Sequence, residues 1–345
     1  MQAVVYRGVN DLRMETLPVP QITPKDILVR VAVCGVCPTD IKKIHYGTVP
    51  PPRIFGHETS GTIVKVGPRA RGFRVGQRVA LHHHVPCMKC HACRHAAFAQ
   101  CAQYKMTGIT AGFEPAGGGY AEYVRVMPFV FPGVVPIPAR NSFEEGAMLE
   151  PVNTVLKAVR RLNLLPGDHV LIAGQGPIGL MFTRLLALRK VKVIASDLIP
   201  ERLKLAETFG AKFTFQPNRG ARPSFPQPDA AIIATPSDDV VRECLDQIRG
   251  AGQILLFAHT KRDALTEIDL SKICVDEKDL IGSYSSDITI QDEVARLVFS
   301  RKLDVRPLIT HRFPLHQTAE AIALAARPSP GALKIVVHQT LSGSV

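Results

Sequence analysis

No stretch of the 345 residues stays apolar for the twenty or so positions a membrane helix requires, although 46% of the chain is hydrophobic. Nor does a basic segment followed by an apolar one open it. Met1, Gln2, Ala3, Val4, Val5 and Tyr6 run directly into strand-like sequence, so neither a secretory signal nor a membrane partner is expected, and a cytoplasmic setting is predicted. Basic runs and aromatic-studded basic motifs are missing too. The formal charge of +12 comes from scattered Arg and Lys, which reads as general solubility and not as nucleic-acid binding. A phosphorylated small molecule is the other partner such a charge would suit. Internal repeats and low-complexity tracts are absent, and the length suits two domains with separate cores.

What the chain does have is concentrated between Val33 and Gly61. V-C-G-V-C-P-T-D spans 33–40 and G-H-E spans 56–58, offering a thiol at Cys37, a hydroxyl at Thr39, an imidazole at His57 and a carboxylate at Glu58. Thiolate, imidazole and carboxylate are three good zinc ligands, and a fourth tetrahedral position left open marks a catalytic rather than a structural metal. Taken singly, Cys37 and His57 would read as core residues; the combination argues for the metal. A second set follows at Cys87, Cys90, Cys93 and Cys101, spaced C-x2-C-x2-C-x7-C. Four thiolates converging from one short loop suit a closed structural zinc site, and two local disulfides are the competing reading, disfavoured in a reducing compartment. The run His82, His83, His84 also invites a metal. Neighbours in a strand alternate faces, however, so three consecutive rings cannot meet one ion, and at most one is expected to line a cleft.

The second organising stretch starts at the turn Pro166-Gly167-Asp168. An apolar strand from His169 leads into Gly174, Gly176, Pro177, Ile178 and Gly179, a helix follows through Leu188, and the next strand, from Lys192, ends on Asp197. G-x-G-x-x-G is weak alone. Between a strand and a helix, with an acid closing the following strand, it is a dinucleotide fingerprint. The glycines allow a tight turn and bring the pyrophosphate to the helix N-terminus, where free amides favour anions. Asp197 would accept from the adenosine ribose hydroxyls and repel a 2′-phosphate, which predicts NAD over NADP; Arg202 nearby keeps the second open.

The remainder reads as short strands up to about 150 and as α/β beyond. Asp26–Val33 and Thr62–Val66 are strand candidates, and Pro128, Pro132, Pro136 and Pro138 are expected to form a stiff connection. Asn141 to Arg161 is predicted helical, capped by Ser142 with Glu145 three residues on, and interrupted at Pro151 as two helical pieces or a bend. Later strands are predicted at Lys212–Gln216, Ala230–Ala234, Gln253–Ala258 and Leu280–Ser286. The proline-rich connection 217–228 is expected to cross over without a helix, and a helix is placed at Asp292–Phe299.

The motifs at 33–40 and 56–58, the cysteine lobe, the glycine-led segment Gly117–Val124 and the closing strand Ala332–His338 together resemble the zinc-dependent medium-chain alcohol and polyol dehydrogenases, over essentially the whole chain. The resemblance implies an α/β fold: a GroES-like β domain from both chain ends (1–150 and 290–345, with a zinc lobe at 85–103) and an inserted Rossmann domain with a doubly wound parallel sheet (151–289). It implies one catalytic and one structural zinc per chain, a homodimer or homotetramer, and hydride transfer from a secondary alcohol to NAD in a cleft between the domains. Zinc on Cys37, His57 and Glu58 would acidify the alcohol, and Thr39 would carry its proton away. Glu150, in L-E-P-V-N, stands where polyol dehydrogenases place an acid facing the zinc, and so becomes an alternate or outer ligand. Ile178, Asp197 and Arg202 should touch the cofactor, with Phe257, Ala258, Ser283 and Tyr284 near its nicotinamide end.

The chain also departs from the family pattern. Ala96 stands where a glycine is usual in the lobe, and Lys42 replaces the histidine of threonine-dehydrogenase-like relatives. A surface Lys42 without a catalytic part is therefore expected, with the proton passing from Thr39 through the ribose to His45 or solvent. Cys34 reads as a small buried residue. Glu58 and the E-P pair point to sugar-alcohol or threonine-type substrates. Two rivals stay open: a dehydrogenase of phosphorylated polyols, using Lys42, Arg53 or Lys157, and a non-catalytic scaffold or sensor.

Overall fold

The computed structural model describes residues 1–82, 84–106, 108–114, 117–217, 224–258, 265–327 and 329–339. These form two compact units, Met1–Asn153 with Ser286–Val345, and Thr154–Ser285. The sequence boundaries at 150/151 and 289/290 differ from these by three and four residues. The Asn153 amide explains the shift: it donates to the Asp287 carbonyl (2.9 Å) and to Gln291 (2.7 Å), tying 286–291 to the first unit. Among the described residues no helix is long and apolar enough to cross a membrane.

The first unit is built on a largely antiparallel sheet. Its strands are β3 (Ile27–Gly35), β4 (Glu58–Val66), β5 (Arg78–Leu81) and β8 (Val134–Pro136), with β15 (Ile309–Pro314) and β16 (Lys334–His338) from the C-terminal segment. β16 joins β3, and β7 (Tyr123–Val126) also pairs β3 and carries β6 (Ile109–Thr110). β1 (Gln2–Gly8) and β2 (Asp11–Thr16) form a separate hairpin. Alternating Val and Ile of β3, with Val4, Ile63, Val79, Val124 and Val337, fill the core between them. The register brings three strand ends together: Gly35 lies opposite Glu58 on β4 and opposite Val336 on β16.

Two sequence expectations change here. The prolines from 128 to 138 make no free connection: Pro128–Gly133 is a 3-10 turn, and β8 hydrogen-bonds to β5 as an edge strand. An edge strand needs no amide on its outer side, so proline is tolerated there. The helical break falls at Met148, between α3 (Phe143–Ala147) and α4 (Leu149–Val159), and not at Pro151. Pro151 lies in the first turn of α4, where an N–H has no intrahelical partner to lose. The Ser142–Glu145 capping box is present.

The second unit is a six-stranded, all-parallel sheet in the order β11-β10-β9-β12-β13-β14. Its strands are β9 (His169–Ala173), β10 (Lys192–Ser196), β11 (Ala211–Phe215), β12 (Ala230–Ile233), β13 (Gln253–Leu256) and β14 (Asp279–Gly282). β9 and β12 are buried nearly throughout, as a doubly covered parallel sheet requires. The order reverses direction at β9, the switch point at which such sheets bind nucleotides beyond their C-terminal ends. Of the connection 217–228, residues 224–228 carry no helix and 218–223 lie outside the described residues.

An ion cluster closes the first unit. Arg312 on β15 forks onto Glu144 of α3 at 2.6 and 2.9 Å, and His338 on β16 reaches the same carboxylate at 3.0 Å. The His338 hydrogen bond, then Arg312, hold the Glu144 carboxyl down at about 2. A depressed acid stabilises above its unfolded pKa and loses that contribution as pH falls through the folded value. Wild-type protein should therefore lose about 1 kcal/mol between pH 4.5 and 2, solvent screening taken into account, and Glu144→Gln should flatten that slope. Urea titrations across this range check it; equal slopes would contradict the assignment.

Candidate metal and dinucleotide sites

Cys37 caps the N-terminus of α1 (Pro38–Tyr46), which starts where β3 ends, while His57 and Glu58 stand at the entry to β4. Because β3 and β4 pair, the three side chains converge: one ligand atom from each lies within 4.8 Å of the others. The donor set is one sulfur, one nitrogen and one carboxylate oxygen, which fits zinc with a position to spare. The His57 Nδ1–H donates to Asp40 at 3.2 Å, an orientation that leaves Nε2 for a metal. Burial works against charge on His57, yet Asp40 and the Cys37 sulfur outweigh it and raise the ring well above its ordinary value. Burial likewise pushes the Asp40 carboxyl up, and His57, Lys43 and Lys334 bring it below the normal range.

Sequence reasoning missed two members of this group, Asp40 and Lys334. Lys334 opens β16, is 5% exposed, and donates to Glu58 at 2.6 Å and to the Val36 carbonyl at 2.9 Å. An acid in a helix's first turn ordinarily reads as helix stabilisation, and a lysine opening a strand reads as solvated, so neither carried a signal. Gly35 is required beside them: a Cβ there would lie 1.9 Å from the Glu58 carboxylate. Glu150 stands outside the three-ligand cluster, yet burial, then the charges of His57 and Glu58, act on it, and its carboxyl rises to about 7.

Cys34 is fully buried, its sulfur 3.6 Å from Thr59, in a place where a Cβ on Gly56 or Gly119 would strike it. The three histidines part company. His82 is buried with Nε2 2.9 Å from the Ser286 hydroxyl, His84 stacks on Tyr104 at 4.5 Å, and His83 lies outside the described residues. His45, six residues beyond Thr39, projects about 120° round α1 from it, is exposed, and pairs with Asn10. Lys42, expected on the surface, is half-buried. Arg53 is buried with its backbone bridged to Tyr6, and the Lys157 ammonium bonds to the Tyr284 carbonyl at 2.7 Å.

The four lobe sulfurs, of Cys87, Cys90, Cys93 and Cys101, lie within 4.8 Å of one another as free cysteines, packed by Phe98 and Tyr104. Cys90 caps the short helix α2 (His91–Arg94), which carries Cys93. Amides point at the sulfurs: Cys90 N–H onto Cys87 at 3.3 Å and Cys87 N–H onto Cys101 at 3.4 Å. Amide donors from Lys89 and Cys90 pull the Cys87 thiol down to about 6, which favours the thiolate a metal requires. Four thiolates in a closed shell fit structural zinc. Ala96 holds the left-handed turn that suits glycine, at φ 55°, so its substitution changes the strain of the lobe and not its path.

In the second unit, Gly174 has φ 96°, and a Cβ on Gly179 would fall 1.9 Å from the Gly174 carbonyl; both glycines are sterically required. Gly176 caps α5 (Pro177–Leu188), whose N1 residue is Pro177 and second residue Ile178. Asp197, just past β10, accepts from the Gln175 amide at 2.6 Å and the Ile199 amide at 2.8 Å, with Arg202 at 3.9 Å. Phe257 and Ala258 follow β13, both amides reaching the Ile233 carbonyl, and Ser283 and Tyr284 follow β14. All these candidates gather at the C-terminal edge of the sheet, where a dinucleotide fits: glycine turn, helix N-terminus and an acid just past the next strand stand in order.

Residues 23–139 match the family described as alcohol dehydrogenase GroES-like domain, and 177–300 that described as zinc-binding dehydrogenase. The chain is 31% identical to a sorbitol dehydrogenase of Bombyx mori, over 97% of this chain and 98% of that one. Among solved structures it resembles a zinc-binding dehydrogenase from Sinorhizobium meliloti bound to NADP (TM-score 0.87, 26% identity, 98% of each chain). It also resembles galactitol-1-phosphate dehydrogenase from Escherichia coli (TM-score 0.83, 26% identity, 98% of this chain and all of that one).

Two separate ligand sets give a stoichiometric expectation of two zinc ions per chain, falling to one in Cys87→Ser. Elemental analysis of fully loaded protein checks it, and one zinc in the wild type would contradict it.

Proposed function

Because the chain belongs to the zinc-dependent medium-chain alcohol and polyol dehydrogenase family, we propose that it oxidises a secondary alcohol of polyol type with transfer of hydride to a nicotinamide dinucleotide, and that the residues gathered at the two sites do this work. The observation that carries the reading is the convergence of Cys37, His57 and Glu58 within 4.8 Å. When bound there, zinc supplies Lewis acidity that lets an alcohol give up its proton near neutral pH. Cys37 and His57 would hold it, with Asp40 fixing the ring. Glu58, anchored by Lys334, would be the third ligand, and Glu150 an alternate from outside the cluster.

The Thr39 hydroxyl, two residues past Cys37 on α1, would accept the alcohol proton and release it toward solvent. A dinucleotide held at the C-terminal edge of the parallel sheet would supply the acceptor for the hydride and its two electrons, the remaining proton leaving through Thr39. Family resemblance also supports a cytoplasmic homodimer or homotetramer, which native mass and cell fractionation would check.

The test is dinucleotide reduction by zinc-loaded protein across polyols and amino alcohols. Turnover of at least one polyol is expected, with Thr39→Val lowering kcat about 100-fold or more at unchanged zinc content. Zinc-replete protein that oxidises no alcohol would overturn the reading.

Asp197 sets the expected cofactor preference. Each of its oxygens accepts one amide and retains a lone pair for a ribose hydroxyl, and its charge opposes a 2′-phosphate. Asp197→Asn keeps the shape and removes the charge. The kcat/KM ratio of NADP to NAD should rise about tenfold in that variant; a wild type that prefers NADP would contradict the assignment.

A further inference from the structure

We propose that the cysteine lobe carries a further metal site on its outer face, where His91 and His95 chelate one exchangeable divalent transition-metal ion of tetragonal preference, nickel(II) or cupric copper.

The pair follows from the sequence H-A-C-R-H at 91–95 and the short helix it forms. The His95 amide closes on the His91 carbonyl at 3.3 Å, one α-helical turn, and residues four apart in such a turn share a face. Cys93, two residues on from His91, points about 200° away from it and is buried with the other thiols. One turn thus sends its thiol inward to the four-cysteine set and both imidazoles outward, where each is exposed. Among the described residues neither ring takes part in a hydrogen bond or an ion pair, and their one recorded contact is with each other.

The separation of the rings selects the metal. An ion at about 2.0–2.1 Å from a ring nitrogen lies roughly 3.2 Å from that ring's centre, so two rings at the right angle of a tetragonal site have centres about 4.5 Å apart. The tetrahedral angle preferred by zinc would spread them to about 5 Å. Here the centres stand 4.5 Å apart, with the planes tilted by 48°. Two imidazoles on adjacent corners leave the remaining positions to water, the nitrogen and oxygen environment that suits cupric and nickel ions. Lys89 and Arg94 flank the pair and are exposed, which opposes a cation there. Beneath them lie four cysteines whose zinc-filled shell would be net negative, and that charge offsets the two side chains.

The experiment uses zinc-loaded full-length protein, gel-filtered so that it keeps only tightly held zinc. Calorimetric titration with nickel(II) should show one further equivalent per chain, and cupric ion should fill the same site more tightly. Electron paramagnetic resonance of the cupric complex should show coupling to two imidazole nitrogens. His91→Gln and His95→Gln should each weaken the nickel equivalent about tenfold or more, at unchanged zinc content, circular dichroism and alcohol turnover. A wild type that takes up no further nickel overturns the inference. So does an equivalent that survives in both variants, coupling to a single nitrogen, or loss of lobe zinc in either variant, which would make the imidazoles part of the structural shell.

Discussion

The three-ligand cluster of the first unit depends on one buried ion pair, Glu58 with Lys334. Glu58 stands beside Cys37 and His57 in the three-ligand set, and at 1% exposure it is out of reach of water. Lys334 supplies the counter-charge from a strand 276 residues away in sequence. Breaking such a pair by removing one partner costs about 3–5 kcal/mol, because it strands the other charge. The pairing thus ties the chain's C-terminal segment to the chemistry of its N-terminal one. β16 must lie on β3 for Lys334 to arrive, and residue 35 must be glycine for the carboxylate to fit.

Charge balance accounts for the surroundings. Asp40, Glu58 and Glu150 influence one another and are met by His57, Lys334 and a cation site. The lobe cysteines form a separate set of four thiols, a donor shell that closes where the Cys37 set would leave a position open. The second unit solves a different problem, the binding of a dinucleotide, with backbone more than side chains. Gly174 and Gly179 permit the turn, and Asp197 both fastens it through two amides and offers its remaining lone pairs outward.

How much of this could be read beforehand depended on whether the signal was local. The cysteine spacing, the G-H-E triplet and the strand-glycine-helix-acid order are local, and the metal and dinucleotide sites were legible from them. Lys334 and Asp40 were not, because a buried lysine is recognisable only once its partner is known, and that partner is set by strand pairing. Pro151 was read as a break because proline usually is one; its place in the first helical turn depended on where the helix starts. The prolines at 128–138 misled for a related reason, since tolerance at a sheet edge depends on neighbours outside the segment.

The central claim is that a zinc ion rests on Cys37, His57 and a carboxylate, apart from the cysteine lobe. Zinc K-edge X-ray absorption on Cys87→Ser protein carrying a single zinc tests it directly. The account predicts one sulfur at about 2.3 Å, with the remaining ligands nitrogen or oxygen at about 2.0–2.2 Å. Three sulfurs, or none, would contradict it.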